Sequence, residues 1–366
     1  MQTDSFNPNI PHLLYHLDYR VYSRPFRIPL HTHHGEWSKR QGILLKLSTE
    51  RGHVSFGEIA PLPWFGSETL DQALDLCQTL GAFPTRADLL SVPNSHPASQ
   101  FGMESVVESM QTAIAQQPKV APLAQAIPKR GLTPTPPHCH LLPTGASALT
   151  AWQQPWSEGL HGFKWKIGVT HTQEELALFE QLVQALPPTA SIRLDANGGL
   201  SWAIACQWLE LCDQLSPRPG STTASGYSSA IAPTIEFLEQ PLPPDCFEEL
   251  LALSHRYQTP LALDESVATF NQLEECYAQG WRGIFVIKPA IAGSPSRLRR
   301  FCQQHALDIV WSSVLETAIA RQFITHHLIP SIPTSTRPLG FGVDQWFEPS
   351  PFDQVNAEAI WNSCSA

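Results

Sequence analysis

The architecture is indicated most clearly by Phe163-Lys164-Trp165-Lys166-Ile167, in which two lysines alternate with large apolar residues. Successive side chains of a β-strand point to opposite faces, so Lys164 and Lys166 share one face and Trp165 lies on the other. We expect Trp165 to face helices that cover the sheet. Both amines are then expected to point away from these helices, on the inner face of the sheet.

Short apolar or mixed runs of this kind recur from residue 138 onward, with helical patterns between them. This alternation is typical of βαβ units in a parallel sheet, and so many successive units favour a closed barrel over an open sheet. The predicted strands are 138–142, 163–167, 191–195, 234–238, 261–263, 283–287 and 308–311. The predicted helices between them are 174–186, 201–215, 270–279 and 296–304, and 216–232 is predicted to be a surface insertion.

The first part of the chain has a different pattern, with strands at 19–22, 42–47 and 54–58 and no alternation with helices. Two further segments, 31–37 and 61–66, have loop-like sequences. Helices are predicted at 67–80 and 101–117, and a proline-rich connector follows at 118–137. A chain of 366 residues therefore divides into a small domain and a larger barrel.

Composition excludes several classes of protein. The net charge of -10 and the isoelectric point near 5.8 argue against a nucleic-acid surface, which needs clustered basic residues. The basic cluster Arg297, Arg299 and Arg300 is interpreted as a solvated helix face. No apolar stretch reaches the roughly 18 residues of a membrane span, and the polar start of the chain carries no signal-peptide core. The sequence predicts a cytoplasmic protein whose eight scattered cysteines are reduced.

Charged residues stand at the ends of the predicted barrel strands, one strand after another. The active site of a β/α barrel lies at the carboxyl ends of its strands, so these residues are expected to meet at one rim. Buried charges are costly unless they are paired. Six charges at the ends of five successive strands therefore favour one shared polar site over separate salt bridges at the rim. The segments are Lys164-Trp165-Lys166, Asp195-Ala196-Asn197, Glu239-Gln240-Pro241, Asp264-Glu265-Ser266, Lys288-Pro289 and Ser312-Ser313.

Three of these residues predict a metal site. Asp195, Glu239 and Asp264 offer the oxygen ligands that a hard cation prefers, and no histidine or cysteine stands among them to favour zinc. Mg²⁺ is the expected ion, with Mn²⁺ as a substitute, because it can bind a substrate carboxylate directly. Glu265 is predicted to point away from the ion and to make a hydrogen bond behind the ligands. Asn197 is predicted to be either a turn residue or an outer ligand.

The order Lys-x-Lys, Asp-x-Asn, Glu-Gln-Pro, Asp-Glu-Ser, Lys resembles the enolase superfamily, in its muconate-lactonising branch. Within that branch, KWKIG, RLDANGGLS, EFLEQPL, LALDES and WSSVLETAIA are most similar to the o-succinylbenzoate synthase family. GEIAPLPWFGSETL resembles the loop that covers the substrate in those enzymes. The resemblance implies an α/β fold, a (β/α)7β TIM-like barrel over 126–330 with an α+β capping domain over 1–125. A C-terminal segment, 331–366, would return to the cap.

The resemblance also implies roles for individual residues. Asp195, Glu239 and Asp264 would hold Mg²⁺, and Lys166 would be the general base. Lys288 would stabilise the anionic intermediate, and Lys164 would assist Lys166. Arg193 matches the arginine before the first metal ligand, and Ser312 and Ser313 match positions that hold the succinyl part of the substrate. The implied reaction is Mg²⁺-dependent dehydration of a cyclohexadiene carboxylate to 2-succinylbenzoate, for menaquinone or phylloquinone synthesis.

Two other functions stay open at this point. N-succinylamino-acid racemases and dipeptide epimerases share the scaffold and would use Lys166 and Lys288 as a pair of bases. The epimerases carry an Asp-x-Asp motif that is missing near 340–346, and a mandelate-type racemase would need a histidine near Val310-Trp311-Ser312. A non-catalytic metal-binding barrel is the third alternative. The expected partner is a small carboxylate substrate, with no nucleic acid or membrane, and the protein is expected to be a monomer or weak homo-oligomer.

Overall fold

The structure is a computed structural model that describes residues 14–32, 35–115, 138–216, 232–333, 337–342, 346–354 and 356–364. The predicted connector at 118–137 lies outside the described residues, and so does almost all of the predicted insertion at 216–232. The predicted boundary between the cap and the barrel, at residues 125 and 126, lies outside them as well.

The N-terminal domain is built on an antiparallel sheet in the order β1-β2-β3. Its strands are β1 (Tyr15–Thr32), β2 (Gly35–Thr49) and β3 (Val54–Ile59). The first two strands are much longer than predicted, and the predicted loop at 31–37 is wrong for its described residues, because His31 pairs with Glu36 and Thr32 with Gly35. Residues 33 and 34 lie outside the described residues. The loop prediction relied on polar residues, whereas pairing of Leu30 with Trp37 continues the ladder beyond an irregularity after Pro25.

Three helices cover this sheet: α1 (Leu70–Leu80), α2 (Arg86–Leu90) and α3 (Pro97–Ala115). Helix α1 begins after Thr69 rather than at Ser67, because the Thr69 and Gln72 side chains form a capping box. Helix α3 lies directly against β3. A Cβ atom at Gly57 would come within 2.8 Å of Val106 Cβ, so the absence of a side chain permits this close approach.

The larger domain is an eight-stranded parallel sheet with the order β10-β9-β8-β7-β6-β5-β4-β11. A parallel bridge between Ser312 and Gly340 joins its two ends and closes the barrel. The predicted fold class is therefore confirmed. The strands are β4 (His138–Leu141), β5 (Gly162–Lys166), β6 (Ser191–Asp195), β7 (Thr234–Glu239), β8 (Leu261–Leu263), β9 (Ile284–Ile287), β10 (Asp308–Trp311) and β11 (Leu339–Gly342).

Helices follow most barrel strands, and several begin at side chains that cap them. Ser201, Thr269 and Ser294 each accept a hydrogen bond from the first turn of the helix that they precede. The helices are α4 (Ala148–Ala151), α5 (Gln153–Ser157), α6 (Thr172–Ala185), α7 (Trp202–Leu215), α8 (Phe247–Arg256), α9 (Phe270–Ala278), α10 (Pro289–Ala292), α11 (Pro295–Gln304), α12 (Ala318–Phe323) and α13 (Ala357–Ser363).

Trp165 confirms the two-faced character of β5. The indole is buried between the strand and the covering helices, and it contacts Phe179 of α6 and Trp208 of α7. Its Nε1 donates a hydrogen bond to the Pro143 carbonyl, so the polar atom of the ring is satisfied inside the core. The alternation along the strand then leaves Lys164 and Lys166 on the barrel side.

The end of the chain contacts both domains. Strand β11 supplies the eighth strand of the barrel, although it belongs to the predicted C-terminal segment 331–366. Helix α13 packs against the N-terminal sheet, where Arg20 donates to the carbonyls of Trp361 and Cys364. The boundaries of the three parts stay predictions.

The basic cluster on α11 is only partly the solvated face that the sequence indicated, because Arg300 is exposed but Arg297 and Arg299 are half-buried. Arg297 donates to Asn94 and Glu274, and Arg299 pairs with Glu108 of α3. These arginines therefore attach the barrel to the N-terminal domain. None of the described helices is long and apolar enough to cross a membrane.

Candidate active site

A cavity of about 240 Å³ lies at the carboxyl ends of the barrel strands. The N-terminal domain covers it with Trp37, Leu62 and Phe65. Its size suits a small-molecule ligand. All of the predicted site residues except Glu265 line it: Lys164, Lys166, Arg193, Asp195, Asn197, Glu239, Asp264, Lys288, Ser312 and Ser313.

Strand register places the three carboxylates next to one another. In the strand register, Lys166 lies beside Asp195, and Asp195 lies beside Glu239. Asp264 directly follows β8. Their exposed fractions are 2% for Asp195, 1% for Glu239 and 4% for Asp264. Three acids withdrawn from water in this way require positive charge nearby.

Two lysines supply positive charge to these acids. Lys164 Nζ lies 2.8 Å from Asp195 Oδ2 and 2.7 Å from Glu239 Oε1. Lys288 Nζ donates to Asp264 Oδ1, and it also lies 3.9 Å from the centre of the Phe65 ring. Phe65 is a contact that sequence reasoning missed, since an aromatic residue in a proline-rich loop gives no sign that it will meet a lysine from β9.

Ionisation of the carboxylates reflects both burial and their neighbours. Burial, together with repulsion from Asp195, raises the pKa of Glu239 to about 8. Burial also raises the pKa of Asp264 to about 6, against the attraction of Lys288. Burial opposes ionisation of Asp195 too, but Lys164 and Lys166 outweigh it and lower the pKa of that carboxyl. The pocket thus disfavours three negative charges together, which is the condition that a bound cation relieves.

The donor set fits a hard divalent cation. Within the described residues, no three acidic, histidine or cysteine side chains already have the spacing to share a metal ion. Lys164 Nζ lies between Asp195 and Glu239, so the lysine ammonium group occupies the space between two of the predicted metal ligands. Carboxylate oxygens without nitrogen or sulfur neighbours are the ligands that Mg²⁺ prefers. Assignment of Asp195, Glu239 and Asp264 as metal ligands stays a prediction.

Lys166 differs from the other two lysines. No carboxylate of the described residues lies within 4.0 Å of its Nζ, whereas Lys164 and Lys288 are both ion-paired. It is partly exposed and lines the cavity. An amine without an acidic partner can meet a ligand in the cavity, which is the position that a general base requires.

Asn197 and Glu265 lie next to the carboxylates, and their predicted outer role stays a prediction. Asn197 has a φ of 44°, a left-handed conformation that asparagine tolerates, and its backbone N–H donates to Asp195 Oδ1. Its Nδ2 donates to Glu265 Oε1 at 3.2 Å. These bonds orient Asp195 and join the end of β6 to the end of β8.

Arg193 and Ser313 are occupied by protein partners. Arg193 donates to Glu236 and to the Pro338 carbonyl, so its guanidinium lies within the barrel core. Ser313 Oγ donates to Glu316 Oε2 at 2.7 Å and accepts from Leu315 N–H at 2.9 Å. The Ser313 hydroxyl therefore shapes the loop after β10. Its predicted contact with the succinyl group stays untested, as does that of Ser312.

Gln240 organises the site, although no role was predicted for it. Its amide oxygen accepts from the backbone N–H groups of Asp264 and Ser266, and its Nε2 donates to the Leu242 carbonyl and to Ser266 Oγ. The residue is fully buried, with a φ of 36°. It fixes the backbone of one predicted metal ligand while it adjoins another, Glu239.

We expect Gln240→Leu to lower the free energy of unfolding by about 3 kcal/mol, because two buried backbone N–H groups lose their acceptor. Urea denaturation measures the change. Ser266→Ala is the matched control, since it removes one partner of the Gln240 amide and leaves both acceptor bonds in place. Equal losses in the two variants would contradict this role of the amide oxygen.

Comparison with known proteins agrees with this geometry. A family model described as "Enolase C-terminal domain-like" matches residues 148–352, and another described as "MenC, N-terminal domain" matches residues 17–110. The barrel, its cap and the charged residues at the strand ends thus define a member of the enolase superfamily.

Relatives identify the family within that class. The chain is 40% identical over 347 residues to an o-succinylbenzoate synthase of Thermosynechococcus vestitus, covering 94% of this chain and 97% of that protein. A Proteus mirabilis o-succinylbenzoate synthase is 28% identical, with coverage of 81% and 82%. The chain belongs to the o-succinylbenzoate synthase family.

Solved structures extend the comparison. An o-succinylbenzoate synthase from Thermosynechococcus elongatus, with Mg in its active site, has a TM-score of 0.78 and 37% identity, covering 95% of this chain and 98% of that one. An L-Ala-D/L-Glu epimerase from Bacillus subtilis has a TM-score of 0.65 at 15% identity, covering 91% and 90%. That second likeness shows the shared fold alone.

Proposed function

We propose that this protein catalyses the Mg²⁺-dependent dehydration of 2-succinyl-6-hydroxy-2,4-cyclohexadiene-1-carboxylate to 2-succinylbenzoate. The observation that carries the proposal is one cavity in which three buried carboxylates meet two lysines that are ion-paired to them and a third lysine that has no carboxylate partner among the described residues. The relatives with this name support the choice of substrate. The product would enter menaquinone or phylloquinone synthesis.

Removal of the proton next to the substrate carboxylate is the difficult step. It places a second negative charge on that group, so the site must concentrate positive charge there. Lys166, in its neutral form, would take this proton. The protonated Lys166 would then return it to the departing hydroxyl on the same face of the ring, so water leaves and the ring becomes aromatic. One side chain thus serves as base and then as acid.

Asp195, Glu239 and Asp264 would hold Mg²⁺, which supplies positive charge to the substrate carboxylate. Lys288 would add charge to the same anion. Its Nζ contacts Asp264 and lies over the Phe65 ring, so the charge is held at the edge of the cavity. Lys164 would assist Lys166 by balancing the negative charge of Asp195 and Glu239.

The racemase alternative shares every one of these residues and differs in what Lys288 must do. A two-base racemase needs Lys288 to exchange a proton with the substrate, whereas dehydration needs only its positive charge. Dehydration is the better supported function because the relatives with 40% and 37% identity carry the synthase name. Racemisation of N-succinyl amino acids is an outcome that the following assay detects.

We expect purified protein to convert the cyclohexadiene substrate to 2-succinylbenzoate, to lose this activity on chelation and to regain it with added Mg²⁺. Product formation is followed by chromatography, and N-succinyl amino acids are tested in parallel for loss of optical rotation. Faster turnover of the amino acids than of the cyclohexadiene would favour the racemase. Full activity after chelation would contradict the metal requirement.

A further inference from the structure

A buried arginine, Arg40 of β2, connects the two domains directly beside the cavity. It is 2% exposed, and within the described residues its hydrogen-bond partners are all backbone carbonyls, while its guanidinium also lies 5.9 Å from the centre of the Trp37 ring. Within the described chain, no carboxylate lies within 4.0 Å of its guanidinium. A charge withdrawn from water and bonded to carbonyls alone is costly to bury, so its geometry calls for a structural explanation.

The partners of Arg40 belong to two loops that cover the cavity. Nη2 donates to the Ala60 carbonyl at 2.6 Å and Nη1 to the Pro61 carbonyl at 2.8 Å, both in the cap loop (residues 60–66). Nε donates to the Val314 carbonyl at 2.9 Å, in the barrel loop (residues 312–317). One planar group therefore fixes the distance between a loop of the N-terminal domain and a loop of the barrel.

Both loops contribute side chains to the cavity lining. The cap loop supplies Leu62 and Phe65, and the barrel loop supplies Val314 and Leu315. Phe65 also contacts Lys288, so displacement of the cap loop would alter the surroundings of that lysine. The spacing of the loops thus sets the width of the cavity on the side of the N-terminal domain.

The barrel loop is held in a conformation that requires support. Leu315 has a φ of 63°, a left-handed conformation that is unfavourable for leucine. Glu316 Oε2 accepts from Val314 N–H and from Ser313 Oγ, both at 2.7 Å, and this fixes the loop from the barrel side. Arg40 fixes it from the other side through the Val314 carbonyl.

We propose that Arg40 is a positioning residue for substrate binding, which holds the cap loop and the barrel loop at the separation that fits the substrate. The substrate in this proposal rests on the proposed function, whereas the position of the two loops does not. Arg40 does not line the cavity and takes no part in proton transfer.

Lysine in place of Arg40 separates the geometry from the charge. Arg40→Lys keeps the positive charge, but a single ammonium cannot reach three carbonyls of two loops in the fixed pattern of a guanidinium. The variant is expected to fold, because Glu58 makes a second tie between the domains. Glu58 accepts from Thr317 N–H and Oγ1 and from Tyr22 OH, and these bonds stay in place.

The control is Arg20→Lys. Arg20 also donates to two backbone carbonyls, of Trp361 and Cys364, and also joins the N-terminal sheet to another part of the chain. It lies away from the cavity lining. The two variants thus lose the same kind of bond, and loop position is what distinguishes them.

Hydrogen exchange without any ligand tests the geometry. We expect Arg40→Lys to speed amide exchange in both the cap loop and the barrel loop, and Arg20→Lys to change neither. With the cyclohexadiene substrate, Arg40→Lys should raise KM about tenfold or more, change kcat by less than about threefold, and leave Mg²⁺ affinity unchanged. A role in stability alone would lower Tm and leave KM as it is.

Unchanged exchange in either loop of Arg40→Lys would overturn the proposal, and so would an equal rise in KM for Arg20→Lys. If Arg40→Lys does not fold, amide exchange in the wild type tests the proposal instead. Bound 2-succinylbenzoate should slow exchange in the cap loop and the barrel loop together, and slower exchange in one loop alone would overturn the proposal. Wild-type protein that does not turn over the substrate would refute the proposed function. In that case the ligand-free exchange of Arg40→Lys still decides on the loops.

Discussion

Lys166→Ala is expected to lower kcat for dehydration by about 10⁴-fold, because the side chain that takes and returns the proton is lost. The fold and Mg²⁺ binding should stay intact, since Lys166 has no ion pair with a described carboxylate and its removal leaves the pairs of Lys164 and Lys288 unchanged. Steady-state rates with the cyclohexadiene substrate measure the first effect. Calorimetric titration with Mg²⁺ measures the second.

Lys166→Arg is the matched variant for this experiment. It keeps positive charge beside Asp195, but a guanidinium does not give up its proton and cannot act as the base. If Lys166 acts through its basicity, both variants should be inactive. Substantial activity in Lys166→Arg would show that charge alone is required, and the assignment of the base would be wrong.

Glu239→Gln is expected to weaken Mg²⁺ binding by more than about 100-fold and to abolish dehydration at ordinary metal concentrations. The side chain keeps its shape but loses the charge that a divalent cation needs. The protein without metal should be no less stable than the wild type, because burial and Asp195 already disfavour the charge on Glu239. Titration calorimetry and thermal unfolding in chelator measure the two effects.

Glu236→Gln provides the control on the same strand. Glu236 also belongs to β7, but it pairs with Arg193 in the barrel core and does not line the cavity. It should bind Mg²⁺ as the wild type does and lose stability instead. Equal loss of Mg²⁺ affinity in both variants would mean that Glu239 is not a ligand.

The barrel was predictable because its signals are local. Alternation in Phe163-Lys164-Trp165-Lys166-Ile167 defines a face, and the charged residues stand at the carboxyl ends of strands whose neighbours are known once the sheet is parallel. The registers that join Lys166 to Asp195 and Asp195 to Glu239 follow from that order.

Contacts between distant segments were not predictable in this way. The Phe65 contact with Lys288, the Arg40 bonds to Val314 and the pairing of Arg299 with Glu108 join parts of the chain that carry no mutual signal. Strand β11 was missed because two of its four residues are glycine, which weakens any strand pattern. The ion pairs of Lys164 depend on side-chain positions that spacing does not determine.

The path of the chain through β11 and α13 has a consequence for synthesis. The barrel is closed by residues 339–342, and the outer surface of the first sheet is covered by residues 357–363. Neither unit can be completed on the ribosome until residues 339–363 have emerged. Nascent chains of this protein therefore carry an open sheet edge until residue 342 has been made, and deletion of residues 357–363 would uncover the sheet that was made first.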